Sequence, residues 1–228
     1  DEIVRILLDA GADIRWRNKG NWSSLLTACS NGRLSIVEML LNHDKDLLDF
    51  ATDVGQTPLR LAIDSKHSDI VRFLLDRGAN ALATYKDGWT TLITACYHGT
   101  DLELVRRLLA AGVSVEARDR WHRTGLFHAE SNGNVEAMRE LIVEHNANMF
   151  AVDKNGKTPF DSATFSESGD GQPALLIECY GNKLTQEHGR LALHAVIAAA
   201  EYSFIEEDDF HPPLNQLRIH LPLGKLTS

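Results

Sequence analysis

The chain has 228 residues, of which 43% are hydrophobic and 24% are charged, as is typical of folded globular proteins. Its net charge of −9 is not accompanied by a Lys/Arg stripe, which argues against nucleic acid or an anionic membrane surface as a ligand. No apolar run approaches the roughly 18–20 residues that cross a bilayer, and the first residues lack the basic and apolar segments of a signal peptide.

The chain repeats itself with a period of 33 or 34 residues. Residues 22–32 (WSSLLTACSNG) and 89–99 (WTTLITACYHG) match at nearly every position and lie two periods apart. Copies of the same block occur at 56–62, 123–129 and 157–163. The Leu and Ala residues of each block recur at helical spacing, so each copy predicts a short helix.

A second block follows each copy of the first and contains an Ile/Leu-Val pair and then a Leu-Leu pair. It occurs at residues 3–13, 36–41, 70–80 and 104–114, with a degenerate copy at 137–148. Helices of this length do not persist alone in water, so we expect each helix pair to bury its apolar faces against its neighbours in the array.

These blocks resemble ankyrin repeats, whose signature is Gly-x-Thr-Pro-Leu-His-x-Ala followed by a second helix that ends near Gly-Ala-Asp. The resemblance implies an all-α solenoid over residues 1–163, with a partial first repeat and further repeats starting near 18, 52, 85, 119 and 153. The signature histidine is replaced in every complete copy, by Leu26, Arg60, Ile93, Phe127 and Asp161, so we expect modest stability. One extra residue, within 99–102, should lie in the turn between two helices.

The pattern weakens after residue 163. Residues 166–173 have the composition of a loop, and residues 188–195 resemble a divergent repeat start. The acidic and proline-rich run at 206–213 cannot be the interior of a helix, and 217–221 alternates as a short strand does. We expect residues 164–228 to form degenerate, truncated repeats with an inserted loop or hairpin; a separate small subdomain is the alternative.

Resemblance to the ankyrin family also implies that a partner binds in the concave groove, against the finger-like loops and the exposed side of the first helices. All four tryptophans lie in or beside these fingers, where they are either binding anchors or covers that pack on the next finger. The predicted partner-binding residues are Trp22, Asn31, Asp64, Tyr85, Trp89, Tyr97, His98, Trp121, Arg123 and Asn132.

No pattern typical of catalysis, metal binding or cofactor binding is found. The ten histidines include no His-Glu-x-x-His, there is no Cys-x-x-Cys, and the glycines at 169–171 do not have phosphate-loop spacing. Cys29 and Cys96 occupy a small-residue core position of the repeat, and the three separated cysteines favour a reducing, intracellular compartment. We therefore expect neither a metal nor a cofactor.

The leading hypothesis is a non-enzymatic, monomeric scaffold that binds a partner protein. The chain begins inside a helical pattern, so we expect a segment of a longer protein. The second hypothesis is therefore a targeting or autoinhibitory segment of a larger enzyme such as a kinase or ubiquitin ligase. A third is a hydrolase that uses Cys29 or Cys96 as its nucleophile.

Overall fold

Pairs of antiparallel helices follow one another along the chain in a computed structural model that describes residues 1–85 and 87–159. The helices are α1 (Glu2–Asp9), α2 (Ser24–Ser30), α3 (Leu34–His43), α4 (Pro58–Asp64), α5 (Ser68–Asp76), α6 (Thr91–His98), α7 (Leu102–Ala110), α8 (Gly125–Ser131) and α9 (Val135–Arg139). A 3₁₀ turn (Lys45–Asp49) follows α3, and α9 continues into a π-helical turn (Glu140–Glu144). The predicted all-α solenoid is confirmed.

Hydroxyl and carboxyl side chains define where the helices begin. The first helices of three repeats are capped by Ser23, Thr57 and Thr90, whose side-chain oxygens accept hydrogen bonds from amides three residues later. Asp101 caps α7 in the same way, at 2.8 Å from the amide nitrogen of Leu104. This cap lies in the segment that contains the extra residue, so the insertion falls in the turn between α6 and α7, as predicted.

The core is one continuous cluster because each repeat buries the same positions. The first helices α2, α4, α6 and α8 stack in that order, and the second helices pack beside them. Equivalent leucines of the first helices are at most 1% exposed: Leu25, Leu59, Leu92 and Leu126. Equivalent leucines of the second helices are likewise buried: Leu40, Leu74, Leu108 and Leu141. Each helix therefore depends on its neighbours in the stack.

The amino-terminal end of the stack is open. None of the residues of α1 is buried, and its Ile3, Ile6 and Leu7 are 73%, 60% and 52% exposed. Ser24 and Thr27 of α2 are also exposed, whereas the residues at the same positions of α4, α6 and α8 are buried. The helices α1 and α2 are therefore packed less completely than the helices that follow them. The predicted tail from residue 164 lies outside the described residues.

Candidate functional site

Five finger-like turns project from one side of the stack. Each is a five-residue turn closed by a hydrogen bond from the backbone amide of its first residue to the carbonyl oxygen of its last. The turns are residues 18–22, 52–56, 85–89, 119–123 and 153–157, with N···O distances of 2.9–3.1 Å. Because the last residue of each of the first four turns directly precedes the N-cap of a first helix, these fingers and the first helices share one face, which corresponds to the concave face of ankyrin-like arrays.

Successive fingers are joined through their backbones. The amide of Arg120 donates to the carbonyl oxygen of Asp87 at 2.7 Å. The amide of Lys154 donates to the carbonyl oxygen of Trp121 at 3.0 Å. Gly88 allows this approach: it has φ +74°, and a Cβ atom there would lie 2.9 Å from the carbonyl oxygen of Arg118. These links fix the third, fourth and fifth fingers relative to one another.

Asp119 organises the fourth finger. Its carboxylate is buried and accepts hydrogen bonds from the amides of Trp121 and Arg123, at 2.8 and 2.9 Å, and from Nε of Arg123 at 3.1 Å. Nε2 of His128 lies 3.1 Å from the same carboxylate, which ties the finger to α8. His128 is itself buried, and burial lowers its pKa below the usual value.

An aromatic cluster occupies the centre of the concave face. The ring of Trp89 lies 5.2 Å from that of Tyr97, edge to face, and 5.0 Å from that of His128. Tyr97 also meets the ring of His98 at 5.1 Å. Trp89 and His98 are half-buried, whereas the Tyr97 side chain is 46% exposed. Tyr97 is therefore held in place by its neighbours while its outer surface remains available for contact.

Arginine side chains stack on the aromatic rings of the fingers. The guanidinium of Arg60 lies 4.4 Å from the ring centre of Tyr85 and 5.6 Å from that of Trp89. On the fourth finger, Arg120 and Arg123 lie 3.9 and 4.7 Å from the Trp121 ring. A shallow depression of about 280 Å³ lies between the second, third and fourth fingers, and we call it the central groove. It is lined by Val54, Gln56, Arg60, Tyr85, Asp87, Trp89 and Trp121.

A second depression, of about 490 Å³, lies at the amino-terminal end of the stack. Trp16, Trp22 and Asn31 are among its lining residues, together with exposed residues of α2. Trp22 and Trp89 therefore line separate depressions, although they occupy the same position in their repeats.

The structure brings together most of the predicted binding residues. Trp89 and Trp121 line the central groove, and Arg123 stacks on the Trp121 ring. Tyr97 contacts both Trp89 and His98, and Nε2 of His98 lies 3.2 Å from the carboxylate of Asp64. Asn132 is exposed at the end of α8, and its side-chain amide donates to the carbonyl oxygen of His128. Tyr85 requires a correction. The sequence predicts it as an exposed binding residue of a finger, but it is only 9% exposed: the guanidinium of Arg60 stacks on its ring, and its hydroxyl lies 3.4 Å from Oγ1 of Thr57.

Two charged residues outside the predicted binding set stand at positions that are apolar in the other described repeats, so a comparison of the repeats could have identified both. Arg60 is charged at a position where the other described copies hold Leu26, Ile93 and Phe127. Glu130 falls in the apolar core position that Cys29, Ile63 and Cys96 hold in the other described repeats. It is fully buried, and neither carboxyl oxygen has a hydrogen-bond partner. Burial raises the pKa of Glu130 to about 8.

The structure does not support the hydrolase hypothesis. Cys29 and Cys96 are 0% exposed, and burial raises the pKa of each thiol to about 12, so neither is available as a thiolate. Within residues 1–85 and 87–159, His, Cys, Asp and Glu do not gather in groups of three or more that could hold a metal ion. The helices in the same part of the chain are too short or too polar to cross a membrane.

Comparison with known proteins decides the family. A family model described as ankyrin repeats, in three copies, matches residues 1–85 and 92–187. The chain belongs to the ankyrin-repeat family.

Relatives of this ankyrin chain differ in how much of their own length it matches. It is 32% identical to a transient receptor potential cation channel subfamily A member 1 homologue of Caenorhabditis elegans, over 77% of this chain and 14% of that protein. A putative ankyrin repeat protein of fowlpox virus is 30% identical, over 63% of this chain and 44% of its own length. The probable 26S proteasome regulatory subunit p28 of Saccharomyces cerevisiae is 30% identical, over 71% of this chain and 73% of its own length. The chain thus spans less than half of the first two relatives.

Proposed function

We propose that this ankyrin array binds a protein partner through the concave face formed by its fingers and first helices, and that it has no catalytic activity of its own. The observation that carries the proposal is the exposed aromatic surface at the centre of that face. Tyr97 is 46% exposed and Trp121 is 36% exposed, and both are held by ring and guanidinium contacts. Aromatic and arginine side chains fixed in this way are typical anchors of protein interfaces.

The proposal concerns residues 1–163 as the binding array, with 164–228 as degenerate repeats, and the family match up to residue 187 supports a continuation of the array into that tail. We propose a monomer in a reducing, intracellular compartment, which the unpaired thiols of Cys29 and Cys96 support. The second candidate is a targeting segment of a larger protein. It is favoured by the match to a cation channel homologue and to a palmitoyltransferase of Danio rerio, of which the chain spans 14% and 32%.

The test replaces the exposed anchors and measures binding. The double variant Tyr97→Ala/Trp121→Ala should capture at least tenfold less cellular protein than the wild type. Aromatic anchors that become buried in an interface commonly contribute about 2 kcal/mol each. The matched control is Val135→Ala/Val143→Ala, which removes two exposed apolar side chains (37% and 45%) from the second-helix side of the fourth repeat. Quantitative mass spectrometry of the captured proteins provides the measurement. Full capture by a folded double variant would move the binding face elsewhere.

A further inference from the structure

Arg60 is a charged residue at a position that is apolar and buried in the other repeats that the structure describes. The equivalent Leu26, Ile93 and Phe127 are 0–2% exposed. A guanidinium cannot be buried among such residues without partners. In this repeat the Arg60 side chain instead reaches the residue one turn later in α4, Asp64, and it lines the central groove with 16% of its surface exposed.

Only one edge of this guanidinium is used. Nε of Arg60 donates to both carboxylate oxygens of Asp64, at 2.9 and 2.8 Å. The two terminal nitrogens carry four further N–H groups, and none of them has an acceptor within the described ranges 1–85 and 87–159. Stacking on Tyr85 and Trp89 holds the plane of the group, so the unused donors keep a fixed direction.

The central groove that Arg60 lines also presents apolar surface. Val54, on the second finger, is 49% exposed, and Trp121 forms the side that belongs to the fourth finger. Asp87 also lines the groove, but its carboxylate lies 3.0 Å from the guanidinium of Arg120 and is neutralised by it. The groove therefore combines the unused donors of Arg60 with the apolar surface of Val54 and Trp121.

We infer that the central groove binds a carboxylate side chain, Asp or Glu, from an extended segment of the partner, and that Arg60 holds that carboxylate. The inference rests on the proposed function and specifies the chemistry of its partner. Two terminal guanidinium nitrogens match the two oxygens of a carboxylate in a bidentate pair. A phosphate dianion fits less well, because Asp64 already pairs with Arg60 and offsets part of the positive charge that a doubly charged ligand would need.

The charge of the fingers supports an acidic partner. Taken together with the two residues before each turn, the five fingers contain eight Lys or Arg residues and four Asp residues, a net charge of +4 in a chain whose net charge is −9. Such an uneven distribution attracts acidic segments to the finger side and disfavours basic ones.

The experiment selects peptides that bind the whole chain and tests whether their affinity depends on a contact between Arg60 and an acidic side chain. A phage library of random twelve-residue peptides is panned on the wild-type protein, and the Kd of each selected peptide is measured by fluorescence anisotropy. We expect the selected peptides to share an Asp or Glu beside an apolar residue. Replacing that acid by its amide, or Arg60→Leu in the protein, should weaken binding at least tenfold, and the two changes together should cost no more than either alone. Arg60→Lys should restore part of the affinity.

The choice of variants keeps the result interpretable. Leucine occurs at this position as Leu26, so Arg60→Leu should leave the fold intact, which a thermal melt checks. Arg72→Leu removes an exposed arginine from the second helix of the same repeat and should not change Kd.

Peptides that depend on Tyr97 and Trp121 but not on Arg60 or on any acid would overturn this inference and leave the proposed function standing. Peptides insensitive to all three residues, or no selected peptide, would overturn both. Tighter binding when phosphoserine replaces the acid would identify a phosphopeptide site and contradict the carboxylate assignment.

Discussion

Replacement of Glu130 by isoleucine should stabilise the protein, and increasingly so at higher pH. This carboxyl group is 0% exposed and has no hydrogen-bond partner, so burial raises its pKa from 4.5 to about 8. The unfolded chain loses this proton near pH 4.5, whereas the folded chain keeps it until about pH 8. Stability should therefore fall as pH rises from about 4.5 to about 8 and level off above that range.

The size of the effect follows from the same two pKa values. One pKa unit corresponds to about 1.4 kcal/mol, so Glu130 should cost about 3 kcal/mol at pH 7 and about 5 kcal/mol at pH 9. Isoleucine fits the position, because Ile63 fills the equivalent place in the second repeat and is 0% exposed. Relative to wild type, Glu130→Ile should gain about 1 kcal/mol or less at pH 5 and several kcal/mol at pH 9.

Urea unfolding followed by circular dichroism at pH 5, 7 and 9 measures these differences. Glu130→Gln separates the titration from the packing, since it keeps the shape and removes the ionisable group. Glu136→Ile is the matched control, because Glu136 is exposed on the next helix and its replacement should change stability by no more than about 0.5 kcal/mol at any of the three pH values. A stability gain for Glu130→Ile that is the same at all three pH values would show that Glu130 ionises normally and would refute the reasoning.

Two further predictions concern the stack and its thiols. Leu108→Ala removes a fully buried side chain from the centre of the stack and should lower the free energy of unfolding in urea by about 2–5 kcal/mol. Leu7→Ala, at a 52% exposed position of α1, should lower it far less, and equal losses would contradict the stacking order. Cys29 and Cys96 should remain unmodified by a thiol reagent at pH 8 under native conditions and react after unfolding, as peptide mapping by mass spectrometry would show; rapid native labelling would mean that the core opens.

The fold could be predicted from the sequence because its information is local and repeated. The capping residues Ser23, Thr57 and Thr90 precede apolar positions at helical spacing, and the same spacing recurs every 33 or 34 residues. Each copy supports the assignment of the others, so a single departure such as the extra residue before Asp101 does not disturb it. The repeat pattern also identifies the buried positions, since every helix meets its neighbours through the same face.

The binding face could be predicted only in outline. Trp89 and Tyr97 belong to one repeat and fall on one face, so their proximity follows from the pattern. The contacts of Trp89 with His128 and of Arg60 with Tyr85 join different repeats and depend on side-chain conformations that no single-repeat argument determines. The repeat pattern alone therefore predicts Tyr85 as an exposed binding residue, although its ring is buried under Arg60.

The residues that build the concave face are distinct from those that remain free to contact a partner. Asp119 is buried and uses its carboxylate within the fourth finger, and Trp89 uses its ring against α6 and α8. Tyr97 and Trp121 rest on this support and expose their outer surfaces. Because the support fixes their conformations before binding, little side-chain entropy is lost when a partner docks. Changes at Asp119 or Trp89 should therefore alter folding and binding together, whereas changes at Tyr97 or Trp121 should alter binding while the fold is kept.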